Sequence, residues 1–451
     1  MMFPNQIFKA YDVRGKVGDE LTSDVAWRIG ASLGSWLPDA GPVAVGYDMR
    51  PDSLELATAV MDGLLAVGRD VLDIGQVASD MIYFAVGSHG LAGGAMVTAS
   101  HNPGDDNGIK LCRRGAQPIG MESGLFEIRD MAASKSYKLD IQPGQITKQD
   151  VLTEWANFAL NFVDAASWQA YNVVVDAGNG MAGLVIPKVA DKVPLIIDAM
   201  YFKLDGTFPN HIANPLIPEN LVDLQARIRE TKADFGVAFD GDGDRAVMVD
   251  ENGQSVSGTV TAAILSEYFL KKFPGATILY NAVCGRIVPE TIERLGGKGV
   301  RTKVGHSFIK ADMRKYDAVF AGEHSGHYYF KDNFYADSGL IAALLVIQVL
   351  SESGGKMSQL ADKYRSQYQS IQETNFTVMD KSGALAKLGE HFEDNDQNIL
   401  DGLTVNFDDG WINVRPSNTE PLLRLNAEAT TSERLEKLVA EATKVISKFS
   451  S

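Results

Sequence analysis

The sequence has little of what marks secreted or membrane-spanning proteins. Its 451 residues include two cysteines, Cys112 and Cys284, too few for a disulfide framework, so we expect a reducing, cytoplasmic location. No basic segment followed by an apolar stretch begins the chain, and we expect no signal peptide. The longest strictly apolar run, residues 340–347, is too short to cross a bilayer and predicts a buried helix capped by Ser338.

The sequence also has fewer basic than acidic residues. Lysine and arginine number 42 against 58 acidic residues, and the formal net charge is −16. Nucleic acids and anionic membrane surfaces are bound through basic patches, so we expect neither as a partner. A local basic pocket for a small anionic substrate remains compatible with this balance.

The composition, with 45% hydrophobic and 22% charged residues, is that of a globular protein. Helical and strand periodicities alternate along most of the chain, which predicts an α/β fold with crossover connections. The pattern breaks near Pro143 and changes character after the mid-360s. We therefore predict three similar mixed α/β domains, residues 1–143, 144–256 and 257–366, and a C-terminal α+β domain, residues 367–451.

Ser100 is the first candidate for chemistry. Residues 98–103 (TASHNP) follow the apolar run 93–97, a pattern that predicts a buried strand delivering a serine into a turn. Pro103 prevents a helix from starting there at once. A hydroxyl at the carboxyl end of a strand can act as a nucleophile or carry a phosphoryl group. For such a serine taken alone, an ordinary polar turn is the simpler interpretation.

Two further segments carry groups suited to phosphate chemistry. Asp240, Asp242 and Asp244 alternate with glycines, and we expect an extended segment that points three carboxylates to one side with room for a cation. Ligands that are all oxygen favour Mg²⁺ over Zn²⁺. Residues 415–421 (RPSNTEP) combine a guanidinium, hydroxyls, an amide and backbone N–H groups, as a phosphate pocket requires.

One motif supports a different class of enzyme. Residues 178–183 (GNGMAG) fit the glycine pattern of a dinucleotide-binding turn, and Asp198 ends the next predicted strand about twenty residues further on. This pattern motivates an alternative hypothesis, an NAD-dependent oxidoreductase. Such a turn normally opens its own domain and accompanies a hydride-transfer site, which we do not identify here, so a structural glycine turn is the favoured interpretation.

Taken in order, the motifs resemble the α-D-phosphohexomutases, most closely their bacterial phosphomannomutase/phosphoglucomutase branch. The resemblance runs from residues 8–15 (FKAYDVRG) through the serine, aspartate and 322–327 (GEHSGH) segments to the Arg415 loop. It implies four domains around a central cleft and an isomerase of carbohydrate metabolism. The implied reaction moves a phosphoryl group between the C1 and C6 hydroxyls of a hexose, through an enzyme phosphoserine and a hexose 1,6-bisphosphate that also serves as activator.

The resemblance also assigns roles by matched position. Ser100 would carry the phosphoryl group and, with Asp240, Asp242 and Asp244, would hold one Mg²⁺. Lys110 and His306 would be candidates for proton transfer or substrate contact, and Arg245 would add a second positive contact to the transferring phosphate. Substrate binding would fall to Tyr11, Arg14, Glu323, Ser325, Arg415, Ser417, Asn418 and Thr419. The plain alternatives are a solvated lysine for Lys110 and a packed ring for Tyr11.

Several points stay open at this level. The family usually places an aromatic residue before Asn107, whereas this chain has Asp105 and Asp106, acids that could slow turnover or alter metal demand. Arg50 is either a salt-bridged loop residue or a neighbour of the cleft. A phosphosugar-binding protein without turnover should lack the serine or a metal aspartate, and both are present. The general base and the choice between monomer and homodimer are not fixed.

Substrate preference is indicated by residues 322–327. His324 stands between Glu323 and Ser325, where glucosamine-phosphate mutases commonly have glutamine, so the segment resembles the mannose/glucose branch. Glu323 and Ser325 would bind hydroxyls that mannose and glucose share. We therefore expect turnover of both hexose phosphates, with mannose 1-phosphate as the physiological substrate, because one inverted hydroxyl is a weak basis for discrimination.

Overall fold

The protein was examined as a computed structural model, which describes residues 3–417 and 422–449. The described chain forms four β-sheets that follow one another in sequence. The first three are mixed sheets covered by helices, and the fourth is antiparallel. The predicted fold class, three mixed α/β units and a C-terminal α+β unit, is confirmed.

The first sheet has a parallel centre and an antiparallel edge. Its strands are β1 (Val13–Lys16), β2 (Val43–Tyr47), β3 (Val71–Gln76), β4 (Gly93–Val97), β5 (Asp106–Arg113), β6 (Gln117–Pro118) and β7 (Ile146–Lys148). The accompanying helices are α1 (Ser23–Trp36), α2 (Ser53–Ala66), α3 (Ser79–Ser88) and α4 (Leu125–Ser134); α5 (Leu152–Leu160) follows β7 and packs mainly against a helix of the second unit. Strand β7 pairs with β3 although it lies beyond the boundary predicted at residue 143. Its side chains are all exposed, so no apolar pattern marked it as a strand.

The second and third sheets repeat the mixed arrangement. The second contains β8 (Tyr171–Asp176), β9 (Leu195–Met200), β10 (Phe235–Phe239), β11 (Ala246–Asp250) and β12 (Ser255–Val256), with α6 (Ala182–Ala190) and α7 (Val222–Thr231). The third contains α8 (Gly258–Lys272), β13 (Thr277–Asn281), α9 (Ile287–Arg294), β14 (Lys298–Thr302), α10 (His306–Tyr316), β15 (Phe320–Gly322), β16 (Tyr328–Phe330), β17 (Ala336–Asp337), α11 (Gly339–Ser353) and α12 (Met357–Arg365). Strands β11 and β12 form the hairpin expected from the turn-forming residues between them.

The fourth sheet has its own hydrophobic core. It contains β18 (Gln369–Ser370), β19 (Thr374–Thr377), β20 (Asp396–Asn398), β21 (Leu403–Phe407), β22 (Gly410–Pro416) and β23 (Leu422–Ala429), with α13 (Lys381–His391) and α14 (Ser432–Ile446). All the strand pairs are antiparallel, and β21 and β22 join at the predicted turn. Apolar residues from the strands and both helices form one buried cluster separate from the rest.

Helix α11 is the predicted buried helix, and it joins two of the units. Ser338 caps it, because the Ser338 hydroxyl accepts a hydrogen bond from the N–H of Ile341 at 3.1 Å. Although α11 follows the third sheet in sequence, its Leu344 and Ile347 side chains line a small apolar cavity with residues of β8 and β10 in the second sheet. No single helix within residues 3–417 and 422–449 is long and apolar enough to cross a membrane; α11 and α12 pass that test only as a pair bent by 100°.

The sheets bring the sequence motifs to shared edges. The Ser100 segment follows β4, the aspartate segment follows β10, and the Glu323 segment follows β15. The backbone N–H of Ser79, at the start of α3, donates to the carbonyl of Asp242 at 2.9 Å and joins the first unit to the second. Arg245 and His327 form an isolated β-bridge that joins the second unit to the third. Motifs distant in sequence therefore meet at one place.

Candidate active site

Ser100 lies in a tight turn with its hydroxyl directed at the acidic segment. Its φ is 51°, in the left-handed region that a non-glycine residue adopts at an energetic cost. The backbone N–H of Ser100 donates to Thr98 Oγ1 at 2.9 Å, and Ser100 Oγ donates to Asp240 Oδ2 at 2.7 Å. Ser100 is only 4% exposed. A strained, buried serine that contacts a carboxylate does not fit the simpler interpretation of a surface polar turn.

Arg50 holds the serine loop, which we define as residues 98–106. Arg50 is buried, and its guanidinium donates to four backbone carbonyls, those of Ser100 (2.8 Å), Asn102 (2.6 Å), Pro103 (2.7 Å) and Asp106 (2.8 Å). Sequence analysis left the place of Arg50 open, and the structure places it beneath this loop. One feature of the sequence could have indicated this placement: Arg50 follows the end of β2. Because β2 and β4 are parallel neighbours, their carboxyl ends meet at one edge of the sheet.

Arg14 supports the same loop from the N-terminal motif. Its Nη1 donates to the carbonyl of Ala99 at 3.1 Å and to Asn102 Oδ1 at 2.8 Å, and its Nε pairs with Asp12 at 2.9 Å. Asn102 in turn donates to Asp106 Oδ2 at 3.0 Å, so the unusual acid of this chain is bound within the loop. The side chain of Asp105 instead points outward, 67% exposed, and lies 3.5 Å from Lys16.

The acidic loop, residues 240–244, joins β10 to β11 as a turn, so the expected extended segment is wrong. Gly243 has a φ of 78° and donates its N–H to the carbonyl of Asp240 at 3.2 Å. At Gly241, a Cβ atom would lie 2.3 Å from the Ser100 carbonyl oxygen, so only glycine permits this approach of the two loops. The three aspartates are buried, and one oxygen of each lies within 4.8 Å of the others. The turn, rather than strand alternation, makes the carboxylates converge.

Two cations, Lys110 and Arg245, offset part of the negative charge of the acidic loop. Arg245 Nε donates to Asp240 Oδ2 at 2.9 Å, and Lys110 Nζ donates to Asp242 Oδ2 at 2.7 Å and Asp244 Oδ2 at 2.6 Å. Burial, only partly opposed by Arg245, raises the pKa of Asp240. Burial also disfavours ionisation of Asp244, yet the Lys110 ammonium holds the pKa of Asp244 well below its usual range. The carboxylates of Asp240 and Asp244 therefore lie in different electrostatic environments, which shift their pKa values in opposite directions.

Lys110 is 6% exposed, so the solvated lysine considered from sequence is excluded. It lies on β5 opposite Met96 of β4, which aims it at the acidic loop. Burial favours the neutral amine, but Asp242 and Asp244 raise the pKa of Lys110 well above its ordinary value. Lys110 therefore holds its proton beside the carboxylates.

The acidic loop has the donor set of a hard divalent cation site. Its three carboxylates converge without cysteine, and such oxygen ligands suit Mg²⁺. The Oδ1 atom of Asp242 is buried and has no hydrogen-bond partner among the described residues. A buried carboxylate oxygen without a partner is costly, and coordination of a cation would satisfy it. The residues present fit the ion expected from the sequence.

The glycine turn at residues 178–183 supports the acidic loop. A Cβ atom at Gly180 would lie 2.7 Å from the Gly241 carbonyl oxygen, and the N–H of Met181 donates to that same carbonyl at 2.9 Å. Asp198, the candidate ribose-binding acid, is paired with Arg227 at 2.7 Å. The backbone of the acidic loop thus fills the space that a pyrophosphate would need, and the glycines serve close packing.

Glu323 and Ser325 lie in the loop between β15 and β16, which we call the sugar loop. Glu323 is 2% exposed; its Oε2 accepts from Asn281 Nδ2 at 2.9 Å, and its Oε1 accepts from the Tyr329 hydroxyl. The Ser325 hydroxyl lies 3.0 Å from His327 Nδ1. The carboxylate of Glu323 is therefore held in place by two donors.

His327 is a functional candidate to which sequence analysis gave no role, although it ends the recognised segment. Its Nε2 lies 3.4 Å from Asp244 Oδ1 and its Nδ1 lies 3.6 Å from Glu323 Oε1. Burial lowers the pKa of His327, but the charge of Asp244 and its hydrogen bond outweigh this and raise it. His327 thus connects the sugar loop to the acidic loop.

His306 and Tyr11 form a contact between the first and third units. His306 begins α10, and the Tyr11 ring meets its imidazole edge-on with centroids 5.7 Å apart. The Tyr11 hydroxyl donates to the carbonyl of Val304 at 3.0 Å. Burial, together with the ammonium groups of Lys310 and Lys110, holds the pKa of His306 well below its ordinary value. The imidazole of His306 is therefore neutral near pH 7.

The predicted phosphate loop is described only in part. Arg415 lies within β22, and Ser417 directly follows that strand. Asn418 and Thr419 lie outside the described residues. Arg415 is 7% exposed, and its Nη2 donates to Glu373 Oε2 at 3.0 Å. Burial lowers the pKa of His324 in the sugar loop, and the charges of Glu373 and Arg415 act on it as well.

Fold and site together define a class: a multidomain α/β protein in which a buried serine faces an acidic loop across the junction of its units. Sequence profiles of phosphoglucomutase/phosphomannomutase domains match four stretches: domain I at residues 5–138, domain II at 153–253, domain III at 257–368 and the C-terminal domain at 373–445. The chain belongs to the phosphoglucomutase/phosphomannomutase family. The predicted enzyme class, a hexose phosphate mutase, is confirmed.

Individual relatives cover nearly the whole chain. A protein of Xanthomonas campestris pv. campestris named "Phosphohexose mutases" is 40% identical over 423 residues, 93% of this chain and 94% of its own length. A phosphomannomutase of Vibrio cholerae serotype O1 is 39% identical over 457 residues, 98% of each chain. The crystal structure of a phosphoglucomutase/phosphomannomutase family protein from Burkholderia thailandensis matches with a TM-score of 0.92 at 32% identity, covering 100% of this chain and 99% of that one.

Proposed function

We propose that this hexose phosphate mutase works through a phosphoserine at Ser100 and a hexose 1,6-bisphosphate intermediate. The observation that carries the proposal is the 2.7 Å contact between Ser100 Oγ and Asp240 within three converging buried carboxylates. Phosphoserine would bring about −1.5 to −2 charges into this acidic setting, which requires compensating cations. Lys110, Arg245 and a bound metal ion would supply them.

Each transfer exchanges one P–O bond for another. A hydroxyl of the bound hexose phosphate attacks the phosphorus of phosphoserine, the bond from phosphorus to Ser100 Oγ breaks, and hexose 1,6-bisphosphate forms. The proton leaves the attacking hydroxyl, and Ser100 Oγ gains one. The bisphosphate then turns around in the cleft, and its other phosphoryl group returns to Ser100 by the reverse exchange. Hexose 1,6-bisphosphate added from outside would serve as activator by the same second step.

The site offers one group for each proton. His306 is neutral and would accept the proton of the attacking hydroxyl at its Nε2, which is buried and has no hydrogen-bond partner within the described part of the chain. Lys110 carries a proton between Asp242 and Asp244 and would donate it to the leaving oxygen. Arg245, held by Asp240, would contact the transferring phosphoryl group.

Asp240, Asp242 and Asp244, with a phosphoryl oxygen on Ser100, would hold one Mg²⁺. When bound, the ion withdraws charge from the transferring phosphoryl group. The sugar hydroxyls would be recognised by Glu323 and Ser325. The phosphate that is not reacting would be bound by Arg415 and Ser417, together with Asn418 and Thr419, which lie outside the described residues. Tyr11 and Arg14 would complete the wall of the cleft.

For the substrate, we propose mannose 1-phosphate first and glucose 1-phosphate second. Relatives named phosphomannomutase match almost the full chain, and the sugar loop carries His324 where an amino-sugar mutase would have glutamine. We further propose a cytoplasmic enzyme that is a monomer or homodimer, with domain boundaries near residues 143, 256 and 366.

Phosphorus NMR on three sugar phosphates tests the activity. Mannose, glucose and N-acetylglucosamine 1-phosphates would each be supplied with Mg²⁺ and a trace of the matching bisphosphate. We expect the first two to give the 6-phosphate signal and the third to react poorly. Intact-mass analysis before and after incubation with bisphosphate tests the intermediate, with Ser100→Ala as the matched control. A parent protein that turns over substrate yet never gains a phosphoryl group would disprove the phosphoserine mechanism.

A further inference from the structure

Ser79, the first residue of α3, contacts the acidic loop through both its backbone and its side chain. Its N–H donates to the carbonyl of Asp242 at 2.9 Å, and its hydroxyl donates to Asp242 Oδ2 at 2.5 Å. Ser79 is fully buried. Sequence analysis gave Ser79 no role, yet this residue of the first unit binds a candidate metal ligand of the second.

The two carboxylate oxygens of Asp242 are both buried but have different surroundings. Oδ2 accepts hydrogen bonds from Ser79 and from Lys110 Nζ, the latter at 2.7 Å. A carboxylate oxygen offers about two lone-pair positions, so these two donors occupy Oδ2. Oδ1 has no hydrogen-bond partner in the described part of the chain. The hydrogen bonds therefore leave Oδ1 as the oxygen that a cation would satisfy.

Of the two donors, Ser79 is the one dedicated to Asp242. Lys110 Nζ also donates to Asp244 Oδ2 at 2.6 Å and to Ser79 Oγ at 3.4 Å, and in the proposed function it gives a proton to the leaving oxygen. A serine hydroxyl has a single proton, and that of Ser79 is directed at Asp242. Ser79 can therefore hold the carboxylate while Lys110 takes part in the transfer.

The first turn of α3 is itself fixed by the third unit. Asp80 is buried beside Ser79, and its Oδ2 accepts a hydrogen bond from the Ser338 hydroxyl at 2.7 Å. On the other side, a Cβ atom at Gly243 would lie 3.5 Å from Ala78 Cβ, so the start of α3 lies against the acidic loop. A hydroxyl on an anchored helix can orient a ligand precisely.

We propose that Ser79 is a positioning residue of the metal site, whose hydroxyl holds Asp242 Oδ2 and thereby keeps Oδ1 available to a divalent cation. The inference rests on the proposed function of the acidic loop as the metal site. Groups that orient metal ligands typically change metal affinity about 10- to 100-fold. Without the Ser79 hydroxyl, Asp242 would lose one of the two donors that set the orientation of its carboxylate.

The test measures metal binding directly, so it does not depend on turnover. Mn²⁺ replaces Mg²⁺, because both ions suit carboxylate oxygens and free Mn²⁺ can be quantified by electron paramagnetic resonance. The variants are Ser79→Ala and Ser79→Thr, made in the full chain, with Ser100 verified as unphosphorylated by intact mass. Asp242→Asn identifies which bound Mn²⁺ belongs to the acidic loop.

Ser53 offers a closely matched control. Like Ser79, it is the first residue of a helix, α2, and is fully buried. Its hydroxyl donates to Asp48 Oδ1 at 2.5 Å and accepts from Asn107 Nδ2 at 2.9 Å. Asp48 lies outside the acidic loop. Ser53→Ala should therefore lose stability as Ser79→Ala does, without losing affinity for the metal.

We expect Ser79→Ala to raise the Kd for Mn²⁺ about 10- to 100-fold. Ser79→Thr restores the hydroxyl and should bind close to the parent, Ser53→Ala should bind as the parent does, and Asp242→Asn should bind weakly. Melting curves recorded without metal show whether the variants are folded. If Ser79→Ala is not folded, Ser79→Cys takes its place, because a thiol is only a weak donor.

Parental Mn²⁺ affinity in Ser79→Ala would overturn the role of Ser79, and so would equal weakening in Ser53→Ala or in Ser79→Thr, while the mutase assignment would stand. Parental affinity in Asp242→Asn would mean that Mn²⁺ binds elsewhere, and would refute both the inference and the proposed metal site. If the parent binds Mn²⁺ as expected yet Ser100 never gains a phosphoryl group, the phosphoserine mechanism fails and the role of Ser79 stands.

Discussion

Replacing Arg50 by methionine should disable the serine loop without touching a residue assigned to the reaction. Methionine retains much of the apolar volume of arginine but none of its hydrogen-bond donors. The variant removes four bonds to backbone carbonyls in the serine loop, the one to Ser100 among them. It also leaves Asp48, whose Oδ2 lies 3.4 Å from Arg50 Nε, without its neighbouring cation.

The size of the effect follows from burial. Asp48 is 1% exposed, and removing one partner of a buried ion pair costs about 3–5 kcal/mol. Each hydrogen bond lost from Arg50 to a backbone carbonyl should destabilise the fold by less than the ~1.5–3 kcal/mol typical of a charged donor, because water can reach the carbonyls once the loop loosens. We expect a fall in melting temperature on the order of 10 °C for the first unit. Arg50→Lys, which keeps the charge, should fall between parent and Arg50→Met.

The loss of stability in Arg50→Met should depend on pH in a defined direction. Burial already raises the pKa of Asp48 in the parent, and without Arg50 it should rise further. At pH below the ordinary aspartate value, about 4, Asp48 is protonated in both folded and unfolded chains and the cost is small. As pH rises, the unfolded chain ionises first and stability falls until pH passes the folded-state pKa. Arg50→Met should therefore be closest to the parent at low pH.

Two assays and one control complete this experiment. Melting temperature across pH measures stability, and the rate of Ser100 phosphorylation by hexose bisphosphate measures loop positioning. Arg114→Met is the control, because Arg114 also donates to two carbonyls of the same unit, at 2.7 and 2.8 Å, but its side chain is 44% exposed. We expect Arg114→Met to lose no more than about 1 kcal/mol. Parental phosphorylation rates in Arg50→Met would show that Arg50 does not position Ser100.

Three further outcomes are expected. Chelation should abolish turnover and Mg²⁺ should restore it, with Asp242→Asn needing more metal; full activity in excess chelator would exclude the acidic loop as the metal site. Arg415→Ala should raise KM by about tenfold or more through loss of a charge-assisted hydrogen bond while Ser100 still becomes phosphorylated, and an unchanged KM would contradict its contact with phosphate. Glucosamine 1-phosphate should have a lower kcat/KM than mannose or glucose 1-phosphate; the reverse order would overturn the proposed substrate while the mutase mechanism stood.

The sequence by itself determined the features that depend on neighbouring residues. Strand β4 before Ser100 and strand β10 before Asp240 were both predictable, because each is a short apolar run ended by a turn. The buried helix α11 was predictable from its apolar run and its Ser338 cap. Motif order then indicated the family, and with it the four units. Strand β7 was not predictable, because an exposed edge strand has no hydrophobic pattern.

Tertiary structure alone decided which charges meet. Lys110 could have been a solvated lysine, and only the approach of β5 to the acidic loop buries it between two carboxylates. Arg50 precedes Ser100 by fifty residues, yet parallel pairing of β2 and β4 brings it beneath the serine loop. Arg415 and Arg424 became neighbours only in the register of β22 and β23, and Glu373, which pairs with both, comes from outside those two strands. Periodicity records which face of an element is buried, whereas the partner of a buried charge depends on elements that are distant in the chain.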